Sequence, residues 1–397
     1  MSIQKVCYQL DNHKWYDPLP ASAAVSVEDL LCTSGQVALD AESQPVATGD
    51  VAAQARYAFD NIRQVVERAN GTLQDVVELM VFVKDPRDMD AIYHVARDYF
   101  ETDHPAWTMV GSLGFHRSEL LVSIRAIAHL GDAPKECFTP DTLKWWKNYP
   151  MSAGCKKGNL LFISGQVAAD ADGMIVTPGD HSGQARFAFN RFREIVAMAG
   201  GTMGDIIDLI CFSRDPRGQV PVCDTWCNEF VNELPFDEVP ALTAIGTTGL
   251  YQYGMMGAHR AIADLSPGKR VAKTPASIWW KITPISGGTK KEGGRVIGLA
   301  GQVASDGDGF ITTPGDTEAQ ARYAFNRLRE VLGEFGATMD NIVEVISFHK
   351  DPRAWEIVMT VGHEFFKKDE APAWTPVGTT GLFKEGFLHE IYALAVV

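Results

Sequence analysis

The sequence predicts an α/β protein made of three consecutive units of one design, each a mixed sheet with two helices on one face. Three observations carry this. Phrases recur with a period of about 130 residues, far beyond the repeat length of a solenoid. Gly-Gln-Val returns at Gln36, Gln166 and Gln302. QARYAFDNIR at Gln54 returns as QARFAFNRFR at Gln184 and QARYAFNRLR at Gln320, and FVKDPR, FSRDPR and FHKDPR end at Arg87, Arg217 and Arg353. Short β-branched apolar runs alternate with stretches of helical period. Segments with Pro, Gly and charge, GDAPKECFTPDT after Leu130 and SPGKRVAKTPAS after Leu265, read as linkers. The units are placed at 1–135, 136–270 and 271–397.

The elements follow in order within a unit. In the first, LLCTSGQVAL and ELMVFVKD read as strands. Between them Ala55, Phe59, Ile62, Val65 and Val66 fall on one face of a helix over 52–70. Asp-Pro-Arg breaks the chain after the second strand. A second helix runs from Met89 to Phe100, and PAW-TMVGSL and ELLVSIRAIAHL close the unit as two more strands. Two helices cover one sheet face only, so the other must meet another sheet. Three units in one chain place three sheets about a common axis, a pseudo-trimer with an inner β-barrel and clefts between units. The lead-ins Lys14-Trp-Tyr, Lys144-Trp-Trp and Ile278-Trp-Trp repeat as well.

The bulk numbers restrict function. The 397 residues are 46% hydrophobic and 22% charged, with a formal charge of −14. That balance argues against nucleic-acid binding, which needs a basic surface. No apolar run is long enough for a membrane span, and no signal-peptide pattern opens the chain, so a cytoplasmic protein is expected. Seven cysteines without CxxC spacing read as reduced thiols. Cys223 and Cys227 lack a His at ligand spacing, so buried thiols are preferred to a metal pair. Asp170-x-Asp172-Gly and Asp306-x-Asp308-Gly lack the downstream Glu of a calcium loop and read as hairpin turns.

The SGQVA phrase, the QAR-x-A-F helix, the VFVKD strand, the Pro-Ala step and the closing IRAIA strand together resemble the Rid family, the YjgF-type reactive intermediate deaminases. The resemblance runs through all three units. It implies a chorismate-mutase-like fold, a trimer fused into one polypeptide, and hydrolysis of imines or enamines without a cofactor. It also implies an Arg after Pro-Ala, a Glu in the last strand and a Tyr before the early Ser. Here those positions hold Trp107, Leu242 and Trp374; Arg125, Arg260 and Tyr392; and Ala21, Met151 and Ile285. The chain resembles an Arg-lacking branch. The Ser–Lys mechanism of three-unit ring-opening amidases is disfavoured, since Ser34 and Ser164 face Ala300 in unit three and no lysine recurs at one equivalent place.

The candidate residues each carry two readings. Trp107 and Trp374 form a flat wall for a planar ligand or pack the core. Arg125 and Arg260 hold an anionic ligand, or an Asp or Glu of the next unit. Glu390 and Tyr392 share a strand face and are the nearest thing to an acid/base group, while His259 and His389 face the helices. Thr379, in a Gly-Thr-Thr-Gly turn like that at Gly246, offers an anion cradle or a plain turn. Arg56, Arg186 and Arg322, with Asp85, Asp215 and Asp351, recur in every unit and read as scaffold. The expected function is a cofactor-independent, metal-free hydrolase or deaminase acting on a small planar anionic imine, enamine or amide in one or two clefts. The alternative is a non-catalytic, metabolite-binding pseudo-trimer. Either is a monomer or a dimer of pseudo-trimers.

Overall fold

The computed structural model describes residues 4–11, 13–231, 234, 238–278 and 285–397. The repeated lead-in Trp279-Trp280 lies outside the described residues. The first unit contains β1 (Lys5–Tyr8), β2 (Ala24–Val27), β3 (Leu30–Thr33), α1 (Val51–Arg68), β4 (Val76–Val83), α2 (Met89–Ala96), β5 (Ala106–Gly111) and β6 (Val122–His129). The second has β7 (Lys135–Phe138), β8 (Gly154–Lys157), β9 (Leu160–Gln166), α3 (His181–Met198), β10 (Ile206–Ser213), α4 (Gln219–Thr225), β11 (Ala241–Gly246) and β12 (Gly257–Asp264). The third has β13 (Arg270–Lys273), β14 (Gly288–Lys291), β15 (Val296–Gln302), α5 (Thr317–Glu334), β16 (Ile342–His349), α6 (Trp355–Gly362), β17 (Ala373–Gly378) and β18 (His389–Val396). Each unit is one six-stranded sheet, in the order β1-β2-β3-β6-β4-β5 and its two counterparts. β4–β5, β10–β11 and β16–β17 are parallel pairs, connected by the second helix of each unit.

The recurring phrases are explained by their bonds. The first helix of each unit starts at an aspartate, Asp50, Asp180 or Asp316, whose carboxylate accepts from the backbone N–H three residues on. The Gln of QAR pins that helix to the loop before the last strand. Gln54 donates to Glu119 O at 2.9 Å and accepts from Leu121 N at 2.8 Å, and Gln184 and Gln320 do the same. The Arg of QAR reaches the chain after the second helix: Arg56–Asp98, Arg186–Glu229 and Arg322–Glu364. Asp85, Asp215 and Asp351 each accept from the backbone N–H of the Arg two residues on. These residues fasten elements together and line no cleft described below.

Both supposed linkers are structured. β7 lies within GDAPKECFTPDT and β13 within SPGKRVAKTPAS, and each forms the outer edge of the following sheet. Four-residue edge strands with polar alternate positions carry too little apolar period to stand out. The expected unit boundaries therefore fall at the first residue of each edge strand.

Apolar side chains fill both sheet faces. On one, Phe59, Phe189 and Phe325 anchor the helices. On the other, residues of all three sheets meet, including Val25, Ile207, Val343 and Leu394. There Phe82, Phe212 and Phe348, one per unit, form a triangle with ring centroids 6.2, 6.3 and 6.3 Å apart. The units bond to one another in a cycle. Gly111 N donates to Gly249 O, Gly246 N to Gly381 O, and Gly378 N to Gly114 O. Buried Lys157 pairs with Asp75 and Lys291 with Asp205, both at 2.7 Å. The sheets themselves remain three: they touch by the single parallel bridges Ser22–Ala373, Ala106–Ser152 and Ala241–Ser286, not by ladders. Among the described residues no helix is long and apolar enough to cross a membrane.

Candidate active site

Three equivalent clefts lie at the three seams. Each is walled by the strand after Pro-Ala of one unit, and by the Gly-x-Val step and last strand of the next. The 1–2 cleft has Trp107 and Met109 against Gly165, Val167 and Ala258. The 3–1 cleft has Trp374 and Pro376 against Gly35, Val37 and Ser123. The 2–3 cleft has Leu242 and Ala244 against Gly301, Val303 and Glu390. Their volumes, mouth included, are about 450, 340 and 630 Å3 respectively.

The differences between clefts follow from the residues at matching places. In the 1–2 cleft Trp145, Trp146, Tyr149 and Tyr251 crowd the space, and Tyr149 OH lies 2.5 Å from Tyr251 OH. In the 3–1 cleft Trp15, His116 and Trp355 do so. The 2–3 cleft has Phe383 and Phe387 on one side and Val220, Cys223 and exposed Asp224 on the other. Leu242 stands where the other two clefts have Trp, and the counterparts of Trp145 and Trp146, Trp279 and Trp280, lie outside the described residues. In unit two the missing indole is supplied from below by Trp226, which packs on Phe189 as Trp374 packs on Phe325.

Glu390 is the buried carboxyl of this cleft. It is 5% exposed and has no hydrogen bond or ion pair among the described residues. Gly301 makes room for it, since a Cβ there would meet the Glu390 carboxyl. Burial without a counter-charge pushes its pKa up to about 8, so the group is a neutral acid at pH 7. Cys223, also buried, has its thiol pushed up by burial and stays protonated. Cys211, Cys223 and Cys227 are buried thiols, and among the described residues no cluster of three or more candidate ligands suits a metal ion.

Of the two readings for Arg125 and Arg260, a ligand or a carboxylate, the structure has the carboxylate: both are paired in the interior. Arg125 pairs with Glu78 at 2.7 Å and Glu344 at 3.2 Å. Arg260 pairs with Glu78 at 3.3 Å and with Asp208. All five side chains are fully buried, and none lines the three clefts. Tyr392, placed with Glu390 by strand period, belongs to this cluster too: its hydroxyl donates to Asp208 at 2.8 Å. The strand period holds, but Glu390 sits two residues nearer the cleft end. Three carboxylates face two guanidiniums, and burial pushes the Glu344 carboxyl up, against the pull of Arg125 and Arg260. The carboxylates Glu78, Asp208 and Glu344 were missed. Their signal was one acidic residue at the same place in three largely apolar strands, VELMVFV, IDLICFS and VEVISFH.

Thr379 is a fastener. Its hydroxyl donates to Gly246 O of the neighbouring unit at 2.7 Å, as Thr247 does to Gly111 O and Ser112 to Gly378 O. Trp107 and Trp374 line clefts but are 2% and 1% exposed, and lie chiefly in the helix-side core. The Trp374 indole donates to Ser347 at 2.8 Å. The Ser before Gly-Gln is a seam clasp: Ser164 accepts from Trp107 N at 2.6 Å and Ser34 from Trp374 N at 2.7 Å, while Ala300 has no hydroxyl to offer Leu242. His259 lies against Phe189 of α3 and His389 against His349, on the helix side.

Comparison with known proteins agrees with this geometry. The Endoribonuclease L-PSP family model matches three times, over residues 19–130, 146–255 and 286–397. The RutC family protein YjgH of Escherichia coli K12 is 42% identical over 103 residues, 26% of this chain and 76% of that protein. The 3-aminoacrylate deaminase RutC of Acinetobacter baylyi is 32% identical over 111 residues, 28% of this chain and 87% of that protein. A chorismatase crystal structure covers 94% of this chain and 99% of its own, with a TM-score of 0.53 and 13% identity, a likeness of fold. With three successive matches spanning most of its length, the chain belongs to the Endoribonuclease L-PSP family, the YjgF-type Rid proteins, as three fused units.

Proposed function

We propose that the chain is an intramolecular counterpart of a trimeric Rid protein, its three sheets facing a shared barrel-like core. It acts as a cofactor-independent hydrolase or deaminase on a small imine, enamine or amide in the 2–3 cleft. The observation that carries this reading is Glu390, a buried carboxyl with no partner in the widest of the three clefts. Held neutral at pH 7, it protonates the substrate nitrogen as water adds to the carbon; one proton of that water passes to the nitrogen and the other returns to the Glu390 carboxylate as the C=O forms and ammonia leaves. Leu242, Phe383 and Phe387 supply an apolar wall that excludes bulk water.

The described lining holds no cation, and both interior arginines are engaged. The substrate end nearest Glu390 is read as uncharged, since the described lining there offers an anionic group no cation. Ala258 and Ser123 stand where Glu390 would be in the other two clefts. Those clefts are read as non-catalytic and held shut by aromatic rings. The formal charge of −14 weighs against an RNA substrate.

The test is ammonia release from 3-aminoacrylate and from imines generated by an amino-acid oxidase, with wild type and Glu390→Gln. Catalysis by Glu390 gives a loss of at least about 100-fold in the variant. Equal rates in both proteins, or no acceleration over buffer by wild type for any C=N compound, overturn the proposal.

A further inference from the structure

The hairpin β7–β8 carries a feature that the proposed reaction does not use. Cys137 and Cys155 are directly opposed in its register, and their sulfurs lie 3.8 Å apart. Neither other unit has such a pair: the matching positions are Cys7 with Val25, and Ala272 with Thr289. Cys155 is fully buried, while Cys137 is partly exposed on the edge strand. Cys137 also contacts the neighbouring unit, its thiol 3.3 Å from His104 O, just before the Pro105-Ala106-Trp107 step that walls the 1–2 cleft.

We propose that Cys137 and Cys155 form a reversible disulfide on exposure to peroxide, a redox-sensitive link within the β7–β8 hairpin beside the seam between units one and two. The Cys137 thiolate attacks hydrogen peroxide, giving a sulfenic acid and hydroxide. The Cys155 sulfur then displaces the sulfenic oxygen, which leaves as water with the Cys155 proton. The two thiols lose two electrons and two protons, and one peroxide becomes two waters. A low-molecular-weight dithiol reverses the bond by exchange. The surroundings favour Cys137 as the attacking sulfur. The adjacent Cys155 thiol, more than Lys135 and Ser152, stabilises its thiolate and brings its pKa down to about 7, against burial and Asp103. Closing the bond removes the Cys137 donor from His104 O, so oxidation alters the seam as well as the hairpin. Cys32 and Cys211, by contrast, are fully buried with thiols pushed well up by burial.

The test uses the folded, full-length protein. It is treated with hydrogen peroxide, quenched with catalase, alkylated with N-ethylmaleimide and digested without reductant. The expected result is one linked peptide pair containing Cys137 and Cys155, with both residues protected from alkylation until dithiothreitol is added. The melting temperature rises on oxidation and returns on reduction. In Cys155→Ser the link is lost and Cys137 is trapped as a sulfenic or higher acid. Full alkylation of both residues after peroxide, or linkage of either to another cysteine, overturns the proposal. So does a link that forms only in denaturant. Should Cys155→Ser fail to fold, the wild-type peptide map decides alone.

Discussion

Tyr392 donates its hydroxyl to Asp208 across the seam between units two and three, at 2.8 Å, where the two other units place an arginine at the matching strand position. The bond ties the last strand of the chain to the second sheet. Tyr392→Phe leaves a buried carboxylate oxygen short of a donor, and a loss of about 1–3 kcal/mol is expected in urea unfolding. Turnover by the folded variant should stay within a few-fold of wild type, because the hydroxyl faces the interior cluster.

The same cluster predicts a larger effect for its arginines. Arg125→Met strands Glu78 and Glu344 in the interior with one guanidinium left nearby. Breaking a buried pair from one side destabilises by about 3–5 kcal/mol. The measurable outcome is a large fall in the urea midpoint, partly relieved in the double variant Arg125→Met/Glu344→Gln.

Glu390 sets a pH dependence whose sign is fixed. Its folded pKa of about 8 lies above the unfolded value, so the folded state holds the extra proton between roughly pH 4.5 and 8. Its contribution is full below that window and is lost as pH rises through it. Glu390→Gln removes this term. The variant should gain on wild type as pH rises from 5 to 9, by at most about 3–5 kcal/mol. Parallel stability curves for the two proteins across that range would show that Glu390 is an ordinary, solvated carboxylate.

Gly301→Ala places a methyl group where the Glu390 carboxyl lies. The carboxyl must move toward the cleft. Turnover should fall at least tenfold while stability changes by no more than about 1–3 kcal/mol. The matching Gly165 faces Thr108 instead, so Gly165→Ala tests the seam without the acid and should leave turnover near wild type.

Much of this was legible in the sequence, and the reasons differ by residue. Three long-period repeats and a QAR helix with one apolar face announce the units, because helix and strand periods depend on local burial alone. The strand-face pairing of Glu390 with Tyr392 was legible for the same reason. Their separation into cleft and interior was not, because it depends on where neighbouring sheets meet along the strand. Arg125 and Arg260 had a visible need for partners, but choosing between a ligand and a carboxylate required Glu78, Asp208 and Glu344, contributed by a different strand and partly by other units. β7 and β13 were hidden because edge strands of four residues look like connecting chain.

The seam that lacks a serine clasp, between Leu242 and Ala300, is also the seam of the Glu390 cleft. In a ring of identical subunits, replacing that serine by alanine would remove the clasp at every contact, a loss of about 1–3 kcal/mol each time. In a continuous chain the deletion strikes once, and Ser34 and Ser164 still hold the remaining two joints. Covalent continuity thus lets one joint loosen while its fellows carry the mechanical load.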